Sequence, residues 1–121
     1  QLPFSTYIRP IALERFLIVC SKDGFILNLD PKTGKVIWSK NLFKNNKKIK
    51  LKKVGFITSL LFASNKILAS TSNGFILFID HTSGEVISSA RVSRKGFFSN
   101  PSLVNKKIYI VDKSIKVLVL N

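Results

Sequence analysis

The segment Phe16-Leu-Ile-Val-Cys-Ser-Lys-Asp-Gly-Phe-Ile-Leu-Asn-Leu-Asp30 recurs further along the chain as Lys66-Ile-Leu-Ala-Ser-Thr-Ser-Asn-Gly-Phe-Ile-Leu-Phe-Ile-Asp80. The repeat aligns Gly24 with Gly74, and a period of about 50 residues is typical of propellers and solenoids. A weaker third copy, Lys107 to Asn121, keeps the strand pattern but has lost the glycine. This internal repetition decides the fold prediction.

Each copy predicts short strands separated by turns. The first strand of each unit, strand A, is expected at Ile8 to Leu13, Ile57 to Ala63 and Ser102 to Asn105. The second, strand B, is expected in the three apolar runs that begin at Phe16, Lys66 and Lys107.

Two kinds of turn complete the predicted unit. Asp23-Gly24 and Asn73-Gly74 predict type I′ hairpin turns between strands B and C, because Asp, Asn and Gly tolerate the positive φ that this turn requires twice. Strand C, Phe25 to Asp30, ends in Asp30-Pro-Lys-Thr-Gly34, where the Asp side chain accepts from nearby backbone N–H groups and the Gly adopts a left-handed conformation. Strand D follows from Lys35 to Lys40.

A four-stranded unit of this size cannot bury both faces alone, and neighbours stacked around an axis complete the core. The predicted fold is therefore all-β, a partial β-propeller built from about three four-stranded blades. Residues 1–121 form one partial propeller: blade 1 at about 5–43, a basic insertion at 44–53, blade 2 at about 55–93 and an incomplete blade 3 at about 97–121. The insertion is expected to be a surface loop or an extended hairpin.

The third blade stops after its strand C, and the remaining blades are expected from sequence outside these 121 residues or from another copy, since about 4–8 blades close a ring. The chain begins at Gln1 and contains no Met, which we take to indicate a processed or truncated piece. No apolar run approaches the roughly 18 residues of a membrane-spanning helix.

The formal net charge is +14, and most of the cations are lysines. Much of this charge is consistent with drift in a lysine-rich composition, since Ile and Asn are also abundant. One cluster is not required by the repeat, and it is a possible partner-binding site: Lys44, Lys47, Lys48, Lys50, Lys52 and Lys53. Electrostatic docking to an acidic protein face or to anionic lipid is the function expected of it.

The stretch from Gly24 to Trp38 resembles the PQQ-like repeat, whose hallmarks are a glycine turn, a strand that ends in Asp, a Thr-Gly turn and a Trp. The second copy keeps Asp80, Ser83 and Gly84 but has Ser88 where the family has Trp. The resemblance implies that Trp38 docks against the adjacent blade. The structural motif residues are Gly24, Asp30, Gly34, Trp38, Gly74, Asp80 and Gly84.

Two branches of this family imply different functions. Quinoprotein dehydrogenases hold pyrroloquinoline quinone and calcium, using a stacking Trp, often a Cys pair, and convergent carboxylates. Cofactor-free scaffolds, the BamB-type lipoproteins, serve outer-membrane protein assembly. The chain has one Trp, one Cys and six acids, which favours the scaffold branch.

The resemblance thus implies a non-catalytic scaffold for protein–protein interaction, in the periplasm and associated with the outer membrane. Its expected partners are proteins of an outer-membrane assembly machine, with peripheral membrane association left open and no nucleic acid expected. A C-terminal fragment of a quinoprotein dehydrogenase and a peptide-binding sensor ectodomain stay open as alternatives.

No catalytic, cofactor-binding or metal-binding residue is predicted. His81 is the single histidine, and it occupies the turn position of Pro31, so a solvated turn residue is expected. Asp23, Asp30 and Asp80 are explained as turn formers, while Glu14 and Glu85 are isolated in sequence. The buried-looking Cys20 is expected to act as a small hydrophobe.

Overall fold

The computed structural model describes residues 8–44, 51–92, 102–104, 107–111 and 117–120, the last three ranges as backbone alone. The first sheet has the order β1-β2-β3-β4 and the second β5-β6-β7-β8, both antiparallel meanders. A third set of three strands pairs in the order β11-β10-β9. The strands are β1 Ile11–Ala12, β2 Leu17–Cys20, β3 Phe25–Leu29, β4 Val36–Asn41, β5 Ile57–Ala63, β6 Lys66–Thr71, β7 Phe75–Asp80, β8 Val86–Arg91, β9 Ser102–Val104, β10 Lys107–Val111 and β11 Val117–Leu120.

The all-β prediction is confirmed, and the strand bounds differ from the predicted ones at a few ends. Strand A of the first sheet shrinks from the predicted Ile8 to Leu13 to the two residues of β1. Pro10 explains the loss, because proline has no N–H to donate to the ladder. Before Pro10, Ile8 N still donates to Cys20 O at 3.2 Å.

The predicted type I′ turns at Asp23-Gly24 and Asn73-Gly74 are wrong. Only the glycines have positive φ, +90° at Gly24 and +84° at Gly74, whereas a type I′ turn needs two such residues. Gly24 N donates to Ser21 O at 3.1 Å, and Ser21 N donates to Phe25 O at 2.9 Å. The loop therefore has three residues, a turn followed by a left-handed glycine, and this is the next most common hairpin connection.

The type I′ geometry occurs instead at Ser64 and Asn65, which join β5 to β6. Their φ values are +52° and +61°, and the flanking Ala63 and Lys66 are paired in register. Sequence analysis missed this turn because neither residue is glycine. Asn tolerates the left-handed region, while Ser is less favoured there.

The main core lies between the first and second sheets. Ile18, Cys20 and Ile26 of the first sheet join Ile67, Ala69, Leu77 and Ile79 of the second in one buried cluster. The counterparts of Ile18 and Ile26 in the second sheet, Leu68 and Ile76, belong to a separate cluster on its other face. Ile18 and Ile26 face the second sheet, and Leu68 and Ile76 face away from the first. Each sheet therefore turns the same face toward the next unit, as stacking around an axis requires.

The face of the first sheet turned away from the second carries an exposed valine. Val36 is 57% exposed, whereas its counterpart Val86 packs against the main core. The two valines are equivalent in register, because Val36 pairs with Leu29 of β3 and Val86 pairs with Ile79 of β7. The first strands of the units, β1, β5 and β9, lie next to one another in sequence order.

The predicted basic insertion at 44–53 is helical at its C-terminal end. Its residues 45–50 lie outside the described residues, and the segment ends in a one-turn helix, α1, Leu51–Val54. Val54 is 2% exposed and belongs to the main core, so this end of the segment is anchored. Asn73 strengthens the anchor, because its Nδ2 donates to Lys53 O at 3.0 Å and its backbone N donates to Val54 O at 3.2 Å.

Candidate functional site

The Asp-to-Gly loops after β3 and β7 have the same hydrogen bonds. Gly34 N donates to Asp30 O and Gly84 N donates to Asp80 O, each at 2.8 Å. In each loop the Asp Oδ1 accepts a backbone N–H two residues on, from Lys32 and from Thr82, both at 2.9 Å. At Asp80, the bond from Thr82 N and a second bond from the Thr82 hydroxyl, at 2.7 Å, hold the pKa of the carboxyl below its usual range. The two aspartates therefore shape turns.

Trp38 joins the first sheet to the loop of the second. Its Nε1 donates to the backbone O of His81 at 2.8 Å, and its ring lies over Gly84. A Cβ at Gly84 would lie 2.6 Å from Trp38 Cε3, so the indole requires a glycine there. At Gly34, with a similar φ of +75°, no atom of the described residues other than its own chain neighbours lies within 4 Å of such a Cβ.

His81 is not the solvated turn residue that was predicted. Its ring lies 5.5 Å from the centroids of both Phe16 and Phe62, and it is half-buried. The Nδ1 lies 2.8 Å from the backbone O of Asn65, so that nitrogen carries the proton. His81 thus packs against side chains of both sheets, beside Trp38. Its position in the repeat did not predict this contact.

The described charges divide between the two rims of the stacked sheets. The basic rim, formed by the B–C turns and the segments that link strand D to the next unit, carries Arg9, Lys22, Lys44, Lys53 and Arg91 with Asp23 as its one described acid. The opposite rim, formed by the A–B and C–D turns, carries both signs equally among its described side chains: Glu14, Asp30, Asp80 and Glu85 with Arg15, Lys32, Lys35 and Lys66.

The structure places two of the predicted partner-binding lysines on the basic rim, where both Lys44 and Lys53 are exposed. Lys52 lies in α1, with only its backbone described. Lys47, Lys48 and Lys50 lie outside the described residues. Sequence analysis did not include Lys22 and Arg91, which the topology brings to the same rim from distant turns.

A groove runs along β4 where the outer strands of the first two sheets separate. Its volume is about 570 Å³, and it is lined from the first sheet by Lys40, Leu42 and Lys44 and from the second by Glu85 and Val86. Lys40 Nζ lies 3.5 Å from Glu85 Oε1, and both side chains are largely exposed. We call this feature the β4 groove; its Lys44 end opens on the basic rim.

The described residues offer little for catalysis. They contain no group of three His, Cys, Asp or Glu side chains that could hold a metal ion. Cys20 is buried and its Sγ lies 3.2 Å from Ser21 O. Burial, with a smaller contribution from Asp23, raises the pKa of this thiol to about 12, so it is protonated and unreactive at neutral pH. Within the part of the chain searched, no helix has the length and apolarity to cross a membrane.

A family model described as outer membrane protein assembly factor BamB matches residues 1–120 of this chain. A relative in Shewanella oneidensis with the same description is 24% identical over 140 residues, covering 92% of this chain and 35% of that protein. The chain thus spans about a third of the length of the curated relative that it matches.

Solved structures share the fold. BamB from Moraxella catarrhalis superposes with a TM-score of 0.69 at 22% identity, over 92% of this chain and 31% of that one. Quinohemoprotein alcohol dehydrogenase from Comamonas testosteroni superposes with a TM-score of 0.61 at 13% identity, over 88% and 17%. At these identities the superpositions show a partial β-propeller and nothing of chemistry.

Proposed function

Because this chain belongs to the family of outer membrane protein assembly factor BamB, we propose that it is part of a non-catalytic β-propeller scaffold that binds other proteins during outer-membrane protein assembly. The proposal places it in the periplasm, at the outer membrane. Its partners are components of the assembly machine.

The observation that carries the proposal is where the motif residues are used. Trp38 packs on Gly84 and donates to His81 O. Asp30 and Asp80 accept hydrogen bonds from the backbone of their own turns. In a quinone enzyme the corresponding chemistry needs an indole free to stack on a cofactor and carboxylates that converge on one point. Here the indole joins the two sheets and the carboxylates shape turns within each unit, which supports a scaffold.

Family membership supports the setting. The matched family and the relative in Shewanella oneidensis are both described as outer membrane protein assembly factors. A propeller suits this work because rim loops and strand edges supply broad, preformed surfaces for extended segments of a partner.

The test is co-purification of the full-length protein from its own cells after brief chemical cross-linking. We expect outer-membrane β-barrel assembly proteins to be recovered with it and, in a deletion strain, reduced levels of outer-membrane proteins. An equally abundant periplasmic protein carrying the same tag is the control. Recovery of no assembly protein above this control would overturn the proposal.

A second measurement separates the scaffold from the dehydrogenase fragment that shares the fold. The purified full-length protein is incubated with pyrroloquinoline quinone and calcium and then washed. We expect no retained quinone absorbance. A retained absorbance that a primary alcohol reduces would show a quinoprotein instead.

A further inference from the structure

We propose that the basic rim and the β4 groove together bind an acidic, extended segment of a partner protein. This inference rests on the proposed function and names the surface and the chemistry of the partner. Carboxylates of the segment would contact Lys44 at the groove mouth and Lys40 inside it, while an apolar residue would cover the partly buried Val86.

The separation of charge between the rims is the first argument. Uniform drift toward lysine would place cations on both rims in similar excess over acids. The described side chains of the opposite rim balance four cations with four acids, whereas the basic rim has five cations and one acid. Asp23, that one acid, already accepts a hydrogen bond from the Ser21 hydroxyl. The unbalanced charge therefore lies on one rim, where it attracts an anionic partner.

The β4 groove holds two lysines in a defined arrangement. Lys40, in β4, and Lys44, just beyond its end, precede and follow the buried Leu42 in sequence, and both lysines line the groove. Glu85 partly neutralises Lys40 from the opposite wall, but an exposed pair at 3.5 Å contributes little and exchanges readily. An incoming carboxylate can therefore replace Glu85 at Lys40.

The recess favours a polypeptide over a membrane. A flat anionic surface would meet exposed rim cations such as Lys22 and Lys53, but it would leave the groove between the two strands unfilled. An extended chain fits a cleft of about 570 Å³, which accommodates a few residues. The groove lining, with lysines beside the partly buried Val86, matches acidic residues that alternate with apolar ones.

The experiment measures fluorescence anisotropy of a labelled peptide, alternating Glu and Val over about 12 residues, with the full-length protein. We expect binding that weakens about tenfold between roughly 50 mM and 300 mM salt, since screening reduces such contacts. The double variant Lys40→Glu and Lys44→Glu should weaken binding by about tenfold or more. A peptide with Lys in place of each Glu should not bind.

The matched control is Lys32→Glu and Lys35→Glu, which makes the same change of net charge on the opposite rim and should change binding by less than about twofold. Thermal melting checks that both variants fold, and the single variant Lys44→Glu, at an exposed position, serves if the double variant does not. Equal losses in both variants would show non-specific attraction and overturn the proposal.

Vesicles containing about one quarter phosphatidylglycerol test the membrane alternative. Vesicle binding that the groove variant abolishes, without peptide binding, would overturn the proposal in favour of a lipid surface. Absence of binding to either probe would overturn it as well. If the wild-type protein still co-purifies with assembly proteins in that case, this inference fails alone; if it does not, the proposed function fails too.

Discussion

Gly34 and Gly84 occupy the same position in two loops of the same hydrogen bonding, yet different atoms surround them. Both have positive φ, +75° and +78°, but only Gly84 lies under the ring of Trp38. Gly34→Ala should lower the free energy of unfolding by about 1 kcal/mol, through backbone strain alone. Gly84→Ala should cost roughly 1–3 kcal/mol more, because the methyl group overlaps the indole.

Chemical denaturation of the two variants measures the difference. In a Trp38→Ala background most of the additional cost at Gly84 should disappear, because the clashing ring is gone and only the closer approach to Lys40 Cγ, at 2.9 Å, remains. Equal costs for the two glycines in the wild-type background would show that Trp38 does not pack on Gly84.

Cys20 predicts a pH dependence of stability in the alkaline range. Its pKa rises from an ordinary 9.0 to about 12 in the folded chain, mainly through burial. Above pH 9 the unfolded chain loses this proton while the folded chain keeps it, so the free energy of unfolding falls as pH rises from 9 toward 12. Cys20→Ala should give a shallower fall over this window, measured by urea denaturation at each pH. Identical slopes would show that the thiol titrates normally.

Among the elements, the hairpin of β5 and β6 has a turn whose residues do not suit its geometry. Ser64 and Asn65 both have positive φ, while Asn-Gly is the preferred pair for such a turn. The double change Ser64→Asn and Asn65→Gly should stabilise the protein by about 1 kcal/mol.

Asp23→Gly, in the turn between β2 and β3, is the contrasting variant. That residue precedes Gly24 in a turn where only the glycine has positive φ, so added flexibility should destabilise. Thermal melting of both variants gives the comparison. Stabilisation by Asp23→Gly would contradict the turn geometry described here.

The sequence predicted the strands and the loops between strands C and D well, but it predicted the other hairpin turns and, apart from Trp38, the contacts between sheets poorly. The strand pattern and the loops at Gly34 and Gly84 follow from local preferences, because alternation and turn residues act over a few positions. The Ser64-Asn65 turn is imposed on unfavoured residues by the pairing of Ala63 with Lys66. The β4 groove, like the place of His81, depends on how two sheets approach each other, which no local pattern encodes.

For the whole molecule, the outward face of the first sheet predicts association. Val36 is 57% exposed at the position where Val86 is packed, while Val19 and Leu27 on the same face are buried, so the exposed apolar area is the Val36 end of that face; such an area attracts another. The 121-residue chain expressed alone should form oligomers whose mass rises with concentration, as measured by sedimentation equilibrium. Val36→Asp should reduce this association, and Lys35→Asp at the neighbouring exposed position should not. A monomer at all concentrations would contradict the prediction.

The unequal rims also give the described part of the molecule an electric dipole moment directed along the axis about which its sheets stack. In the field of an anionic partner the protein would rotate before contact, so that the basic rim faces the partner. Such pre-orientation raises the rate of productive encounter more than the strength of the final complex, and salt suppresses it. A scaffold built in this way would find its partner quickly and still release it.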